Sequence, residues 1–244
     1  MIYFNEGTHT YVNTENGREL ISVTTLLGKY KPKFDKKENA TRVAKREGLD
    51  VNFVLDLWEK EKNKACDYGT AIHKVMEDFL VEGKKEDEHY YLYKSYEQEA
   101  NSIFSGYKTF KAEERMHNIE DNIAGTADLV YEKEKSFMLG DFKTNKRFNF
   151  HSSFNEYMTG PLSHLTVCEF NTYALQLSMY AYLYEKMTNK KCDGLVIFYK
   201  QKRYNHDGEE TPYWRPIHVN YMKNEIIELI ADYNKTNQLS LKSF

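Results

Sequence analysis

The sequence has few of the residues that build cross-linked or repetitive structures. Its 244 residues include 3 cysteines, 4 prolines and 12 glycines, which excludes a collagen-like repeat and agrees with a globular composition. Cys66, Cys168 and Cys192 lie far apart and form no CxxC pair, so a four-cysteine zinc or iron–sulfur site is also excluded. We therefore expect free thiols in a reducing compartment.

Long apolar segments are missing too. No stretch of the chain approaches the roughly 18 residues that a membrane-spanning helix needs. The first residues, MIYFNEGTHTY, are typical of neither a signal peptide nor a transit peptide. The sequence therefore predicts a soluble, cytoplasmic protein with no membrane partner.

Neither sign of charge dominates the chain. The 34 Lys and Arg residues are balanced by 37 Asp and Glu residues, and the formal charge is −3. This balance excludes a uniformly basic nucleic-acid coat, but it leaves room for a local basic stripe. Residues 29–46 hold eight basic and two acidic residues. That segment predicts either a solvated helical face or a surface that contacts phosphates.

The rest of the composition is that of one folded unit rich in aromatic side chains. Hydrophobic residues make up 41% of the chain, and 20 tyrosines accompany only 2 tryptophans. Part of the core is therefore built from rings that carry a hydroxyl group. The length predicts a single domain over 1–244. Within it we expect an N-terminal hairpin and basic helical region over 1–65, followed by the core over 66–244.

Hydrophobic periodicity divides the chain into short strands and long helices. A hairpin is expected within the first 25 residues. Helical spacing covers residues 51–84, 88–111, 170–187 and 221–233. Runs of β type cover residues 123–131, 136–143 and 194–200, and residues 112–119 would form a further strand if they pair antiparallel to 123–130. Gly69 and Thr70 indicate a helix start inside the first helical segment. This order predicts a mixed α/β domain with a central sheet.

Two aspartates stand near the ends of consecutive predicted strands. A tight hairpin would bring Asp128 and Asp141 together, and two such carboxylates repel each other unless a cation lies between them. Hard oxygen ligands of this kind suit Mg²⁺ or Mn²⁺. Lys143 lies two residues after Asp141, so on a strand both side chains project from one face. There its ammonium could orient a nucleophile and neutralise developing charge.

Two pairs of polar residues at helical spacing could join this site. His73 and Glu77 are four residues apart, so His73 is either a nitrogen ligand to the same metal or a histidine near the core. Gln176 and Tyr180 have the same spacing. They could hold a DNA phosphate or sugar, hydrogen-bond the lysine, or simply pack against the core.

A further carboxylate could come from the strand that precedes Asp128. The sequence does not decide between Glu113 and Glu114, and either could also be a solvated acid. Of the two, we expect Glu114 to be the catalytic residue.

In this order the residues resemble the PD-(D/E)XK nuclease superfamily, and within it the RecB-like exonuclease branch. The matching motifs are Gly69-xxx-His73-xxx-Glu77, Gly125-xx-Asp128, Asp141-x-Lys143 and Gln176-xxx-Tyr180. Residues 21–27 also resemble the Ser-Val-Thr segment of phage exonucleases and of the mitochondrial genome maintenance exonuclease group. The resemblance spans about residues 20–200. Ala127 stands where the superfamily often has proline.

The resemblance implies a fold and an activity. The fold would be a restriction-endonuclease-like αβββαβ core with a central mixed sheet, flanking helices and an N-terminal helical extension. The activity would be a DNA exonuclease that uses Mg²⁺ or Mn²⁺ and no iron–sulfur cluster. It would act on single-stranded DNA or DNA ends in phage-type recombination, replication or repair. A phage enzyme would work in the cytoplasm of its bacterial host.

The resemblance also implies roles for individual residues. Asp128 and Asp141 would be catalytic metal ligands, with His73 and the carbonyl of Phe142 completing the shell, and Lys143 would be the catalytic lysine. The DNA-binding candidates are Gln176, Tyr180, Ser22, Thr24, Thr144 and Lys146.

Two other functions remain open at this point. The chain could be a non-cleaving module that binds DNA or protein, or a structure-selective endonuclease. The intact chemical positions argue against the first, because degenerate nuclease folds usually lose the lysine or an acid. Circular single-stranded DNA distinguishes the second, since a strict exonuclease needs an end.

Overall fold

The computed structural model describes residues 2–5, 7–8, 10–84, 88–204 and 207–241. Its strands are β1 (Ile2–Asn5), β2 (Thr10–Asn13), β3 (Glu19–Ser22), β4 (Thr109–Asn118), β5 (Ile123–Glu132), β6 (Ser136–Lys143), β7 (Lys191–Tyr204) and β8 (Glu210–Val219). Its α-helices are α1 (Val23–Gly28), α2 (Lys36–Glu47), α3 (Val51–Glu82), α4 (Tyr90–Ile103), α5 (Glu169–Thr188) and α6 (Lys223–Leu241). A short 3₁₀ turn covers Gly160–Leu162.

The strands form one mixed sheet in the order β1-β2-β3-β5-β6-β7-β8, with β4 also paired to β5. Strands β4, β5 and β6 form an antiparallel meander. Helix α5 then connects β6 to the parallel strand β7, and β8 returns antiparallel to β7. From α3 and α4 to β7 the chain order is αβββαβ. The expectation of a mixed α/β fold with a central mixed sheet and flanking helices is confirmed.

Helices cover both faces of this sheet. On one face α5 packs between the sheet and helices α1 and α6, which explains why α5 is apolar on nearly every side. On the other face the second half of α3 and all of α4 pack over the sheet. The buried residues of those two helix segments are Ile72, Met76, Phe79, Leu92, Tyr96 and Ala100.

Helix α3 runs unbroken for 32 residues, so the helix start predicted at Gly69 and Thr70 is wrong. The boundary expected after residue 65 also falls inside this helix. Asp50 caps its start by accepting hydrogen bonds from two backbone amides, and Gly83 ends it at a φ of 66°. Gly69 lies where the helix passes close to the loop after β6, so a larger side chain has little room there. A Cβ at this position would lie 3.3 Å from Thr144 Oγ1.

The first half of α3 leaves the body of the protein. Residues 60–68 are exposed on every side of the helix. Before them, α2 and α3 pack on each other through a small apolar cluster that contains Ala40, Ala44 and Val54. We call α2 together with residues 51–68 of α3 the α2–α3 arm. The arm places helical backbone beside the sheet edge where the site lies. Within the described ranges, no helix combines the length and apolarity of a membrane span.

Candidate metal centre

The site begins where strand β5 loses its pairing on one edge. Because β4 occupies one edge of β5 along its whole length, β3 and β6 must share the other edge. Strand β3 pairs with Ile123 and Ala124, while β6 pairs with residues 129–132. Residues 125–128 between them are therefore unpaired on this edge. The gap leaves Asp128, in the middle of β5, beside the C-terminal end of β6.

Asp128 is held in this gap by two contacts. Its Oδ2 atom accepts a hydrogen bond of 2.7 Å from the backbone amide of Phe142. The same oxygen lies 3.4 Å from Nδ1 of His73, which α3 brings over the sheet. Phe142 itself is buried against Trp214, with the two ring centroids 4.7 Å apart. The aromatic core thus fixes the backbone that holds Asp128, while a role for the Phe142 carbonyl remains a prediction.

The carboxylate that β4 contributes is Glu113, not Glu114. Glu113 faces Asp128 across the β4–β5 pair, where the ladder is interrupted and Glu113 has a φ of 49°. Ligand atoms of His73, Glu113 and Asp128 all lie within 4.8 Å of one another. A non-glycine residue in this backbone region is strained, and such strain is often found at functional sites.

Glu114 belongs to a different group of charges. Its Oε1 atom lies 3.4 Å from Nζ of Lys111, which also contacts the hydroxyl of Tyr184 at 2.8 Å. The structure therefore does not bring Glu114 to His73 and Asp128, because the kink at Glu113 leaves Glu114 on the face of Lys111 and Tyr184. A turn placed at residues 119–122 would have identified the right residue. That turn pairs position 113 with position 128 across the hairpin.

Lys143 and Asp141 lie on one face of β6, as their spacing predicts. The Nζ atom of Lys143 is 2.5 Å from Oδ2 of Asp141, and both side chains are largely buried. Lys143 Nζ also lies 4.8 Å from the ring centroid of Tyr173 on α5. Sequence reasoning missed Tyr173, although it lies three residues before Gln176 on the same helical face. The ammonium therefore has a carboxylate on one side and an aromatic ring on another.

The close packing of acids and a histidine shifts their pKa values. Burial, together with the charge of Asp128, raises the pKa of Glu113 to about 7. Burial also raises the pKa of Asp141 to about 6, against the opposing effect of Lys143. Burial alone would lower the pKa of His73, but the Asp128 carboxylate raises it to about 9. At neutral pH the site therefore holds protons that a cation would displace.

Gln176 and Tyr180 lie beneath this site on α5. The amide of Gln176 donates a hydrogen bond of 2.9 Å to the hydroxyl of Tyr180. Tyr180 is only 4% exposed and packs directly under Gly125 of β5. In this position Tyr180 supports β5 from below, and a DNA contact through it remains a prediction. Gln176 is half-buried, and a DNA contact through it remains a prediction.

Gly125 has no room for a larger residue. A Cβ there would clash with Tyr180 Cε1 and lie 3.0 Å from Val23 Cγ2. We expect Gly125→Ala to lower the free energy of unfolding by about 1–3 kcal/mol, the usual cost of overpacking a core. Chemical denaturation measures this loss. Gly28→Ala is the control, because a Cβ at Gly28 meets nothing within 4 Å. Equal stability of the two variants would contradict the packing described here.

The other predicted DNA-binding residues fall into two places. Ser22 caps helix α1 by accepting a hydrogen bond of 3.1 Å from the amide of Thr25, and its Oγ lies 3.2 Å from Thr24 Oγ1. Thr144 and Lys146 instead line a large cleft that also holds His73 and Lys143. The structure thus brings Thr144 and Lys146 to the site, whereas Ser22 and Thr24 lie at the start of α1 and do not line that cleft.

The cleft has a volume of about 1340 Å³ and opens over His73 and Lys143. One wall is the exposed part of α3, and the other comes from β7, β8 and the loop after β6. Six lysines line it but only two glutamates, and five aromatic rings accompany them. The lysines are Lys62, Lys64, Lys143, Lys146, Lys200 and Lys202. The chain as a whole is acidic, so this basic lining is a local concentration of positive charge.

Two contacts join the walls of the cleft. Lys146 Nζ lies 2.9 Å from Oε2 of Glu61 on the arm. Lys200 Nζ lies 5.1 Å from the ring centroid of Tyr68, also on the arm. These contacts narrow the cleft above His73 and Lys143.

No family model matches the chain, and no curated protein matches it in sequence. Its structure is similar to the crystal structure of a protein from Eubacterium rectale that is described as a "putative exonuclease". The two chains are 13% identical, with a TM-score of 0.39, over 95% of this chain and 86% of the other. A likeness this distant identifies neither the fold nor the chemistry of the chain.

Proposed function

We propose that this protein is a metal-dependent deoxyribonuclease that removes nucleotides from DNA ends. One observation carries the proposal. Ligand atoms of His73, Glu113 and Asp128 lie within 4.8 Å of one another, and His73 lines a cleft that also holds Lys143 and five further lysines. Positive charge along a cleft suits a phosphate backbone. The motif resemblance to RecB-like exonucleases agrees with the proposal.

The donor set fits a divalent cation. Two carboxylates and one imidazole would hold Mg²⁺ or Mn²⁺ through Glu113, Asp128 and His73. Asp141 is a further proposed ligand, as the motif resemblance implies. We expect Mn²⁺ to bind more tightly than Mg²⁺, because the imidazole nitrogen is a better ligand for a transition metal. When bound, such an ion activates water and stabilises charge on a phosphate oxygen.

Lys143 would act as a fixed positive charge rather than as a base. Burial alone would lower its pKa, but the carboxylates of Asp141 and Asp128 raise the pKa above the usual value of a lysine. The side chain therefore stays protonated at neutral pH. An ammonium in this place donates hydrogen bonds to the scissile phosphate and offsets the charge that develops during attack.

The cleft suits a single strand better than a duplex. Its lysines would contact phosphates, while Tyr68 and Tyr91 on its walls offer rings on which unstacked bases pack. The contacts between Lys146 and Glu61, and between Lys200 and Tyr68, restrict the opening. A strand with a free end enters such a cleft more readily than a continuous double helix.

Cleavage assays test this function directly. Purified protein is incubated with end-labelled single- and double-stranded DNA, in Mg²⁺, in Mn²⁺ and in EDTA, beside the variant Asp141→Ala. We expect metal-dependent shortening of linear single strands from one end, absent in the variant. Circular single-stranded DNA should stay intact, and its cleavage would identify an endonuclease. DNA binding without cleavage in either metal would indicate a non-cleaving module instead.

Metal affinity is expected to rise with pH. A cation must displace the proton from His73 and, below about pH 7, the proton from Glu113. Since protons compete with the metal, the dissociation constant for Mn²⁺ should fall by about tenfold for each unit that the pH rises and for each proton released. Isothermal titration calorimetry between pH 6 and 8 measures this dependence. In His73→Gln the slope of log Kd for Mn²⁺ against pH should be smaller by about one proton. An unchanged slope would show that His73 is not a metal ligand.

A further inference from the structure

Tyr173 has no role in the metal-binding and phosphate-binding functions proposed above, although it touches the central lysine. Its ring centroid lies 4.8 Å from Nζ of Lys143, inside the range of about 6 Å for a cation–π contact. The same nitrogen lies 2.5 Å from Oδ2 of Asp141. Lys143 is thus restrained from two sides, and only one of its partners carries a charge.

The ring of Tyr173 is held by packing and not by its hydroxyl. Phe148 lies against it, with the two centroids 5.8 Å apart, and Phe148 packs in turn on Tyr199 at 4.8 Å. The phenol oxygen makes no hydrogen bond to another residue in the described part of the chain. The position of the ring therefore depends on the aromatic contacts beneath it.

We propose that Tyr173 is a positioning residue whose ring face fixes the ammonium of Lys143 in the cleft. The proposal rests on the proposed function, because it assumes that Lys143 takes part in cleavage. A lysine side chain has four rotatable bonds and about 2 kcal/mol of rotamer entropy, so an unrestrained ammonium samples many positions. Asp141 is also a proposed metal ligand, and its carboxylate would be shared with the cation. The ring of Tyr173 does not bind the cation, so its contact with Lys143 would be unchanged when the metal binds.

Three substitutions separate the ring from the hydroxyl. Tyr173→Phe keeps the aromatic face and should cleave single-stranded DNA at close to the rate of the unchanged protein. Tyr173→Leu removes the face and should lower kcat by about tenfold, with KM within about twofold. Tyr173→Met fills the same space without an aromatic face, and it serves if the leucine variant is unstable. Thermal unfolding and Mn²⁺ binding confirm that fold and site are intact.

A matched control lies on the same helix. Tyr182 of α5 also has a lysine over its ring, since Lys186 Nζ lies 5.5 Å from the centroid, but the pair does not line the cleft. Tyr182→Leu should leave kcat and KM unchanged. A similar loss of kcat in Tyr182→Leu would mean that any lost tyrosine of this helix disturbs the enzyme.

A second measurement does not depend on activity. In ¹³C-lysine NMR spectra, the ε-methylene protons of Lys143 should be shifted upfield by the ring current of Tyr173. The shift should persist in Tyr173→Phe and disappear in Tyr173→Leu. If the unchanged protein does not cleave DNA, the proposed function fails, while this shift still tests the contact.

Three results would overturn the proposal. Equal losses in Tyr173→Phe and Tyr173→Leu would show that the hydroxyl acts on the substrate. A raised KM with an unchanged kcat would place the ring in DNA binding. Unchanged kinetics and an unchanged Lys143 spectrum in Tyr173→Leu would show that the ring does not restrain the lysine.

Discussion

Replacing Lys143 with alanine is expected to abolish DNA cleavage while the protein stays folded and still binds metal. The ammonium of Lys143 lies 2.5 Å from Asp141, and Lys143 lines the cleft together with His73. Without it, nothing in that position offsets the charge that develops on the phosphate. Loss of one such preorganised group costs about 100- to 1000-fold in kcat.

The measurement is single-turnover cleavage of end-labelled single-stranded DNA in Mn²⁺. Lys146→Ala is the matched control, because Lys146 lines the same cleft but its side chain is 84% exposed and pairs with Glu61. That variant should bind DNA more weakly, with the larger effect at low salt and a shallower dependence of affinity on salt, and it should keep its rate at saturating DNA. Cleavage at the normal rate by Lys143→Ala would show that the assignment of the active site is wrong.

The second large effect is expected when Glu113 is replaced and its neighbour Glu114 serves as the control. Glu113→Gln should lower cleavage by more than about 100-fold, beyond the 10- to 100-fold loss typical of outer-shell substitutions. Glu113 has a ligand atom within 4.8 Å of those of His73 and Asp128, and glutamine cannot supply a charged oxygen there. Mn²⁺ binding should weaken in parallel.

Glu114→Gln provides the control for this prediction. Its side chain faces Lys111 on the opposite face of β4, so cleavage and Mn²⁺ affinity should stay within about twofold of the unchanged protein. Both proteins are compared by calorimetry with Mn²⁺ and by the same cleavage assay. Loss of activity in Glu114→Gln with normal activity in Glu113→Gln would reverse the assignment made from the structure.

Local pattern was enough to predict most elements of the fold. The predicted bounds of strands β5, β6 and β7 lie within a few residues of the observed ends, because each combines β-branched or aromatic residues with turn signals nearby. Helix α5 was equally clear from its apolar spacing. The break predicted at Gly69 is wrong because a glycine signal is local, whereas α3 is continued by the packing of its later residues on the sheet.

The sequence by itself determined the chemistry-bearing pair on β6 and its relation to β5. Asp141 and Lys143 share a face because side chains alternate along a strand, and a hairpin necessarily returns Asp128 toward them. These are short-range consequences of period and turn.

Only the tertiary structure decided which residues complete the site. The choice of Glu113 over Glu114 depends on the register of β4 against β5 and on a backbone kink at that position. His73 and Tyr173 reach the site because two helices cross opposite faces of the sheet at the same gap. Such contacts join residues that are far apart in the chain, and local periodicity cannot predict which of these residues meet.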